Sequence, residues 1–458
     1  MAEAITEVRN PYDQELVGTV PQQSADDVRA AVGRAGASLE VAFPAHERYR
    51  VLMAASHLLD DASDEVAELL AREGSKTIRE ARNEPPRSAE ILRLAADAAR
   101  RIQGQTLPFD VKPGSENRRG YYMRVPVGVV GAILPFNDPL AVAAHKLGPA
   151  IAAGNAVILK PDSRTPFAPM RLVELLYEAG LPKDRVQLIT GEGAVVGAAL
   201  VQDPRVRLIS FTGGLATGLE ITRTAGIKKL ILEMGSNSAV IILDDADLDR
   251  AVPAVVSGAF TQAGQNCLGV QRLLVQKSVY SAFRDRIVRA TAELKAGHSL
   301  DGNVDVCAMI TEREAVRVET WIQEAVAQGA TVLTGGGRDG AVVQPTVMED
   351  VPDTCRIACD EVYGPVVCLR PVADLDEAIT RANSVPFGLH AAVFTNHLDL
   401  AFQAVEHLQV GGVIINDSTD YRLDTMPFGG VKGSGIGREG IDSAVASMTE
   451  ERVVCFNL

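Results

Sequence analysis

Cysteine, histidine and tryptophan are scarce in this chain of 458 residues, which holds six, seven and one of them respectively. Cys267, Cys307, Cys355, Cys359, Cys368 and Cys455 are too few and too scattered to form a disulfide scaffold. Cys355, Cys359 and Cys368 lack the tight spacing of a zinc knuckle and have no histidine close by, so no metal is expected. Basic charge is short as well. With 45 lysines and arginines against 59 acidic residues the net charge is −14, which argues against nucleic acid or an anionic membrane as a main partner. No apolar run reaches membrane-spanning length, and residues 1–20 hold no signal-peptide core. These absences predict a reduced, cytoplasmic protein. There is no internal repeat or low-complexity segment, and the length implies two or three domains.

What is present is a long alternation of strand and helix signals. A hairpin is expected over 10–20, followed by a helix capped by Ser24 with Asp27 as the reciprocal partner. Helical periodicity continues over 51–70 and 91–102. Residues 118–126 read as an exposed strand. From Gly128, strands at 129–134, 156–159, 186–189, 207–211 and 230–233 alternate with helices at 139–152, 165–179, 194–201 and 215–224. Repeated β-α units of this length imply a parallel sheet with helices on both faces. A second α/β run starts at 238–243. It continues with helices at 251–260, 278–295 and 313–328, and with strands at 273–275, near 347, at 366–369 and at 391–394. The tail 452–456 reads as another isolated apolar strand. Such edges are pairing hazards, so 118–126 and 452–456 are expected to pair with each other and with another subunit.

Several residues sit where chemistry is done. Cys267 ends the turn Gly264-Gln265-Asn266, where backbone N–H groups can lower a thiol's pKa and hold an oxyanion; the alternative is a small buried apolar side chain. Glu233 closes a strand at the carboxyl edge of the sheet, as a surface charge or as a general base for water. Asn137 lies in the stiff turn Pro135-Phe136-Asn137-Asp138-Pro139, as a turn residue or a neutral oxyanion donor. Lys160 offers an ammonium at the same edge. Thr212-Gly213-Gly214 turns a strand into a helix and exposes N–H groups suited to a phosphate. Glu361 and Tyr363 lie in a second acidic turn, and Phe428 lies in the bend Pro427-Phe428-Gly429-Gly430.

Taken in order, Pro135-Phe136-Asn137, Lys160-Pro161, Phe211-Thr212-Gly213, Glu233-Met234-Gly235, Gly264 to Cys267, Glu361 to Pro365 and Pro427 to Gly430 resemble the aldehyde dehydrogenase superfamily, from about residue 10 to the end. The closing run 415–440 is similar to the short-chain, lactaldehyde-like and phosphono-aldehyde branches, although Asn266 stands where an arginine would favour a phosphonate. The resemblance implies an α/β fold with three parts. These are a Rossmann-type cofactor domain (1–117 with 128–232), an α/β catalytic domain (233–420) and β oligomerisation strands (118–127 and 440–458), in a homodimer or homotetramer. It implies oxidation of a small aldehyde with NAD or NADP. Cys267 would be the nucleophile, Asn137 and the Cys267 N–H the oxyanion donors, and Glu233 the base that hydrolyses the thioester. Lys160 and Glu361 would meet ribose hydroxyls, and Pro135, Phe136 and Tyr363 would line the dinucleotide cleft, with Thr212, Gly213, Gly214 and Gly235 in the cofactor-binding turns. Ser163 stands where many NAD-preferring relatives carry glutamate, so NADP acceptance is expected, with Arg164 as a partner for the 2′-phosphate or, alternatively, a solvated surface charge. Gly214 and Ser236-Asn237 depart from the family's usual residues and are expected to loosen or reshape the cofactor site. Arg422, His145 and Phe428 are the candidates at the substrate end, with a satisfied structural histidine the favoured alternative for His145; Arg118 and Arg119 are assigned to the edge strand. Release of the acyl group to coenzyme A, and a non-catalytic dinucleotide-binding scaffold, are the competing functions.

Overall fold

A computed structural model describes residues 4–458. Five parallel strands and one short antiparallel one make a six-stranded sheet. Its order is Gly435–Ile436, Lys229–Glu233, Val206–Thr212, Val129–Ile133, Ala156–Lys160 and Val186–Leu188. The chain runs outward from the Val129 strand through the next two, then returns to build the other side. Strand order therefore reverses between Val129–Ile133 and Val206–Thr212, and ligands of open α/β sheets bind in the crevice beyond the carboxyl ends at such a switch point. The residues found there are Leu134 to Asn137 on one side and Thr212 to Gly214 on the other.

A second sheet of seven strands has the order Thr331–Thr334, Thr346–Glu349, Val366–Val372, Val270–Gln276, Ser238–Ile242, His390–Phe394 and Gly412–Ile415, and only the first of these is antiparallel. The central strands are runs of valine, isoleucine, leucine and alanine with both faces covered, as parallel strands require.

The helix Pro139–Ala152 is buried at all 14 positions. Apart from His145 and Lys146 its sequence is apolar all round, so it serves as the shared core of the helices Ala45–Asp61, Glu84–Ala99 and Phe167–Glu178. The Ser24–Asp27 capping box forms as its sequence predicts. The periodic stretch 51–70 divides at Ala62 into Ala45–Asp61 and Ser63–Glu73, and 194–201 opens with a wide turn at 193–197 before the helix Ala198–Gln202.

The two edge strands pair with each other. Arg118–Pro126 and Thr449–Asn457 run antiparallel over their full lengths, and Gln105–Thr106 adds a third strand. The segment 440–458 is not all strand: Ile441–Ser447 is a helix whose Ile441 and Val445 are buried against the N-terminal helical core, because its apolar residues recur at helical spacing.

Candidate active site

A cavity of about 1120 Å³ lies between the carboxyl ends of the two sheets, and Asn137, Glu233 and Cys267 all line it. The loop that carries Cys267 is held in an unusual shape. Gln262, Ala263 and Gly264 have φ of 57°, 54° and 69°, a left-handed run that costs about 1–2 kcal/mol for each residue with a Cβ. Anchors offset this. The Gln262 N–H donates to Glu80 Oε1 (2.9 Å), its amide Nε2 donates to Asp138 Oδ1 (2.9 Å), and Gln265 Oε1 accepts from the Ile310 N–H (3.0 Å). Gly264 admits no side chain, since a Cβ there would lie 2.2 Å from the Gly364 carbonyl oxygen.

The Cys267 thiol packs beside Leu268, Leu389 and Phe428. Burial and the nearby Asp138 carboxylate push it up to about 12, so it is protonated at neutral pH. Desolvation and a fixed negative charge act on this thiol in the direction opposite to the lowering expected from turn N–H groups. Glu233 is 3% exposed, and neither carboxyl oxygen has a hydrogen-bond partner. Burial and then Glu439 raise it well above the carboxylate range, against a pull from Arg422 and Lys146. Asn137 is buried, and its Nδ2 donates to Asp138 Oδ2 (3.3 Å). A thiol, a carboxyl group free of local partners and an amide donor thus share one cavity, which is what carbonyl addition followed by hydrolysis requires.

The other end of the cavity suits a dinucleotide. Thr212 Oγ1 is buried without a partner, an orphan that a ligand would satisfy. Gly214 precedes the helix Leu215–Thr224 with nothing within 4 Å of a Cβ position, so the first-turn N–H groups stand open to a phosphate. Gly213 is packed against the Phe211 ring, and Gly235 leaves room for Glu361, whose Oε2 would lie 2.2 Å from a Cβ. The Ser236 N–H donates to Glu361 Oε1 (2.7 Å), and burial moves that carboxyl up to about 7. Lys160 is buried, with Nζ donating to the Pro161 carbonyl (2.9 Å), and Pro135 lines the cavity beside it. The Phe136 ring has Tyr363 edge-on at 5.8 Å and the Arg164 guanidinium 4.4 Å from its centroid. Arg164 is not a free cation: Nε and Nη2 each reach Asp162 at 2.7 Å. Ser163 does not line the cavity. Nor is the site loosened at Asn237, whose Nδ2 donates to the carbonyls of Ala358 and Asp360 (both 3.0 Å) and whose Oδ1 accepts from Arg272 Nε (2.6 Å), clamping the Glu361 turn.

At the Cys267 end Arg422 lines the cavity with its guanidinium 3.7 Å from the centroid of the buried Phe428 ring. Its Nε is buried and unpartnered, while Nη2 lies 3.5 Å from Glu439 Oε2. His145 is corrected as a substrate contact. It does not line the cavity but stands behind Arg422, with Nε2 3.2 Å from Nη2 and 2.9 Å from Asp424 Oδ1. Burial and Arg422 bring it down to about 4, so it is neutral, and Asp424 is held by Arg87 on its other side.

Three residues were missed in the sequence. Lys146 is fully buried and donates to Glu439 Oε1 and Ser210 Oγ (both 2.9 Å), so Glu439 carries a negative charge close to Glu233. A lone lysine inside an apolar helix was the available signal, since buried lysines are paired. Asp138, quoted only as part of a turn, joins Lys76, Gln262 and Asn137. Among the described residues no group of three or more His, Cys, Asp or Glu side chains could hold a metal ion, and no helix is long and apolar enough to cross a membrane.

Comparison with known proteins agrees with this geometry. The sequence profile of the aldehyde dehydrogenase family matches residues 2–454. The aspartate-semialdehyde dehydrogenase 1 of Pseudomonas canavaninivorans is 46% identical, over 99% of this chain and 96% of its own. The 3-sulfolactaldehyde dehydrogenase of Priestia aryabhattai is 44% identical, over 99% and 95%. Among solved structures, a glyceraldehyde-3-phosphate dehydrogenase from Methanocaldococcus jannaschii complexed with NADP superposes with a TM-score of 0.95 at 37% identity, covering 100% of this chain and 99% of that one. The chain belongs to the aldehyde dehydrogenase family.

Proposed function

We propose that the protein oxidises a small anionic aldehyde to its carboxylic acid with NAD or NADP, through a thioester on Cys267. The observation that carries the reading is the shared cavity, with Cys267, Asn137 and Glu233 at one end and the open N-terminus of Leu215–Thr224 at the other. In this reading the Cys267 thiol gives its proton to water in the cavity as its sulfur adds to the aldehyde carbon. The oxyanion is met by the second hydrogen of Asn137 Nδ2 and by the Cys267 N–H. A bound nicotinamide dinucleotide supplies the acceptor for the hydride released from the tetrahedral adduct. Glu233, once ionised, takes a proton from the water that attacks the thioester, and the acid departs. Glu233 makes water the natural acyl acceptor, and release to coenzyme A is not favoured; a non-catalytic scaffold would have no use for this set of groups.

Lys160 and Glu361 would hold ribose hydroxyls, Thr212 to Gly214 the phosphates, and Pro135, Phe136 and Tyr363 the walls. Asp162 is neutralised by Arg164, so this edge of the cleft does not repel a 2′-phosphate, and the similar M. jannaschii enzyme is complexed with NADP. For the substrate, the buried unpartnered Nε of Arg422 favours an anionic group, and the named substrates of the three relatives carry a carboxylate, a sulfonate and a phosphate. The test is cofactor reduction with NAD and NADP against charged and neutral aldehydes, in wild type and Arg422→Met. The expected result is turnover with NADP and a preference for anionic aldehydes that the variant loses; equal use of neutral aldehydes, or efficiency confined to NAD, would count against those assignments.

The division into dinucleotide-binding, catalytic and oligomerisation parts, a homo-oligomer and a cytoplasmic location belong to the same proposal. Exposed Tyr121, Met123, Val453 and Phe456 on the paired edge strands support association, which light scattering of the purified protein would measure.

A further inference from the structure

Asp138 stands where a helix cap belongs and does not act as one. It precedes the helix Pro139–Ala152 directly, yet its side chain accepts no N–H from the first turn. Aspartate at that position ordinarily takes one of those donors. Here Glu84 Oε1 takes two of them, from Leu140 and Ala141 (both 2.9 Å). Relieved of capping, the Asp138 carboxylate joins two segments that belong to different sheets. Oδ2 accepts from Asn137 Nδ2 (3.3 Å), in the turn that follows Val129–Ile133 of the six-stranded sheet. Oδ1 accepts from Gln262 Nε2 (2.9 Å), in the left-handed run that leads through Cys267 into Val270–Gln276 of the seven-stranded sheet. The carboxylate is itself fixed, because the buried Lys76 Nζ binds both Oδ1 and Glu84 Oε2. Burial raises the Asp138 carboxyl, but Lys76 and Arg87 outweigh this and keep it ionised.

We propose that Asp138 is a positioning residue that sets the separation of oxyanion donor and nucleophile, holding Asn137 with one carboxylate oxygen and the Cys267 loop, through Gln262, with the other. Addition to a carbonyl needs the sulfur and the amide at opposite ends of one C=O bond, to within about 0.5 Å. Among the described residues, the contact with Asp138 is the one side-chain hydrogen bond that Asn137 makes. Both oxygens of residue 138 must accept, and only a carboxylate offers two acceptors. An amide would turn its NH2 toward a donor on one side and release that segment. The inference rests on the proposed function and adds a residue to it.

The test compares wild type, Asp138→Asn, Gln262→Met and the double variant in the first turnover of an aldehyde, by stopped-flow absorbance of reduced cofactor. Dinucleotide binding is followed by fluorescence of Trp321, the chain's single tryptophan, which lines the cavity. In Asp138→Asn, Lys76 keeps Glu84 as its partner, and in Gln262→Met the backbone N–H still donates to Glu80. Each single variant should slow the first turnover by roughly ten- to a hundredfold, since a shift of about 1 Å costs the latter, at unchanged dinucleotide affinity. The double variant should be no slower than Asp138→Asn, because either break severs the same link. Alkylation of Cys267 separates this role from general loosening. After burial, Asp138 is the first cause that raises the thiol, with Glu233 and Glu361 adding to it and Arg422 opposing. At neutral pH Asp138→Asn should therefore react faster with iodoacetamide while turning over more slowly, and Gln262→Met should gain no such reactivity. A wild-type first turnover in Asp138→Asn overturns the proposal. So do losses that multiply in the double variant, loss of dinucleotide binding along with the rate, or alkylation no faster than in wild type. If Asp138→Asn does not fold, Gln262→Met decides alone: a slowed first turnover at unchanged dinucleotide affinity supports the link, and a wild-type rate overturns it. Absence of any aldehyde oxidation by the wild type would instead defeat the function on which the proposal rests.

Discussion

Replacing Glu233 with glutamine should separate the two halves of the reaction. The carboxyl is buried, and neither oxygen receives a hydrogen bond, so an amide of the same shape loses no partner in the resting protein. It also removes the repulsion from Glu439. Folding should therefore survive, and the loss should fall on chemistry. A positioned general base contributes about 10²–10⁴-fold, or roughly 3–5 kcal/mol of barrier. Steady-state kcat should fall by that factor, while the first turnover, which needs no water, still reduces cofactor. Stopped-flow absorbance would show a burst of about one reduced cofactor per site followed by a slow phase. The sign of the pH dependence follows from the raised carboxyl. The base form appears only as pH climbs above the ordinary carboxylate range, so the wild-type steady rate should rise with pH through neutrality, and the glutamine variant should lack this rise. The same shift works on stability. A raised native value favours the fold fully below the ordinary value, and that contribution is lost as pH rises through the native one, so the variant's unfolding midpoint should respond less to alkali. Wild-type turnover in the glutamine variant, or loss of the burst along with the steady rate, would refute the assignment.

Two further outcomes follow from buried groups. With its thiol pushed up to about 12, Cys267 should react with iodoacetamide slowly at neutral pH, at a rate that climbs about tenfold per pH unit with no plateau below about pH 10; an early plateau would show an activated resting thiolate. Glu73 accepts the N–H groups of Phe167 and Ala168 (both 2.8 Å) at the start of Phe167–Glu178, so Glu73→Ala should lower stability by about 2–6 kcal/mol, one desolvated donor at a time. Chemical unfolding checks this, and an unchanged midpoint would contradict it.

The parallel strands and their helices were legible because their physics is local. Val129–Ile133 and Ala156–Lys160 are short apolar runs bounded by glycine or proline, and Leu215–Thr224 begins after a glycine turn, as its residues predict. The break at Ala62 left no glycine or proline to mark it. The left-handed run at Gln262 and Ala263 was invisible for another reason: it is imposed by Glu80 and Asp138, far away in the chain. The residues lining the cavity were legible as motifs, but their charge states were not. Lys146 meets Glu439 across 293 positions, and Arg422 meets His145 across 277, so the field around Glu233 exists only in the folded chain. Cys267 shows the same limit: its turn suggested activation, and its burial acts in the opposite direction.

The central claim is that Cys267 carries the acyl group during oxidation of an aldehyde. Its most direct test is the absorbance of reduced cofactor during turnover of an aldehyde by wild type and by Cys267→Ala, both confirmed as folded and able to bind dinucleotide. The account predicts turnover in the wild type and none in the variant. Turnover that survives in Cys267→Ala would contradict it.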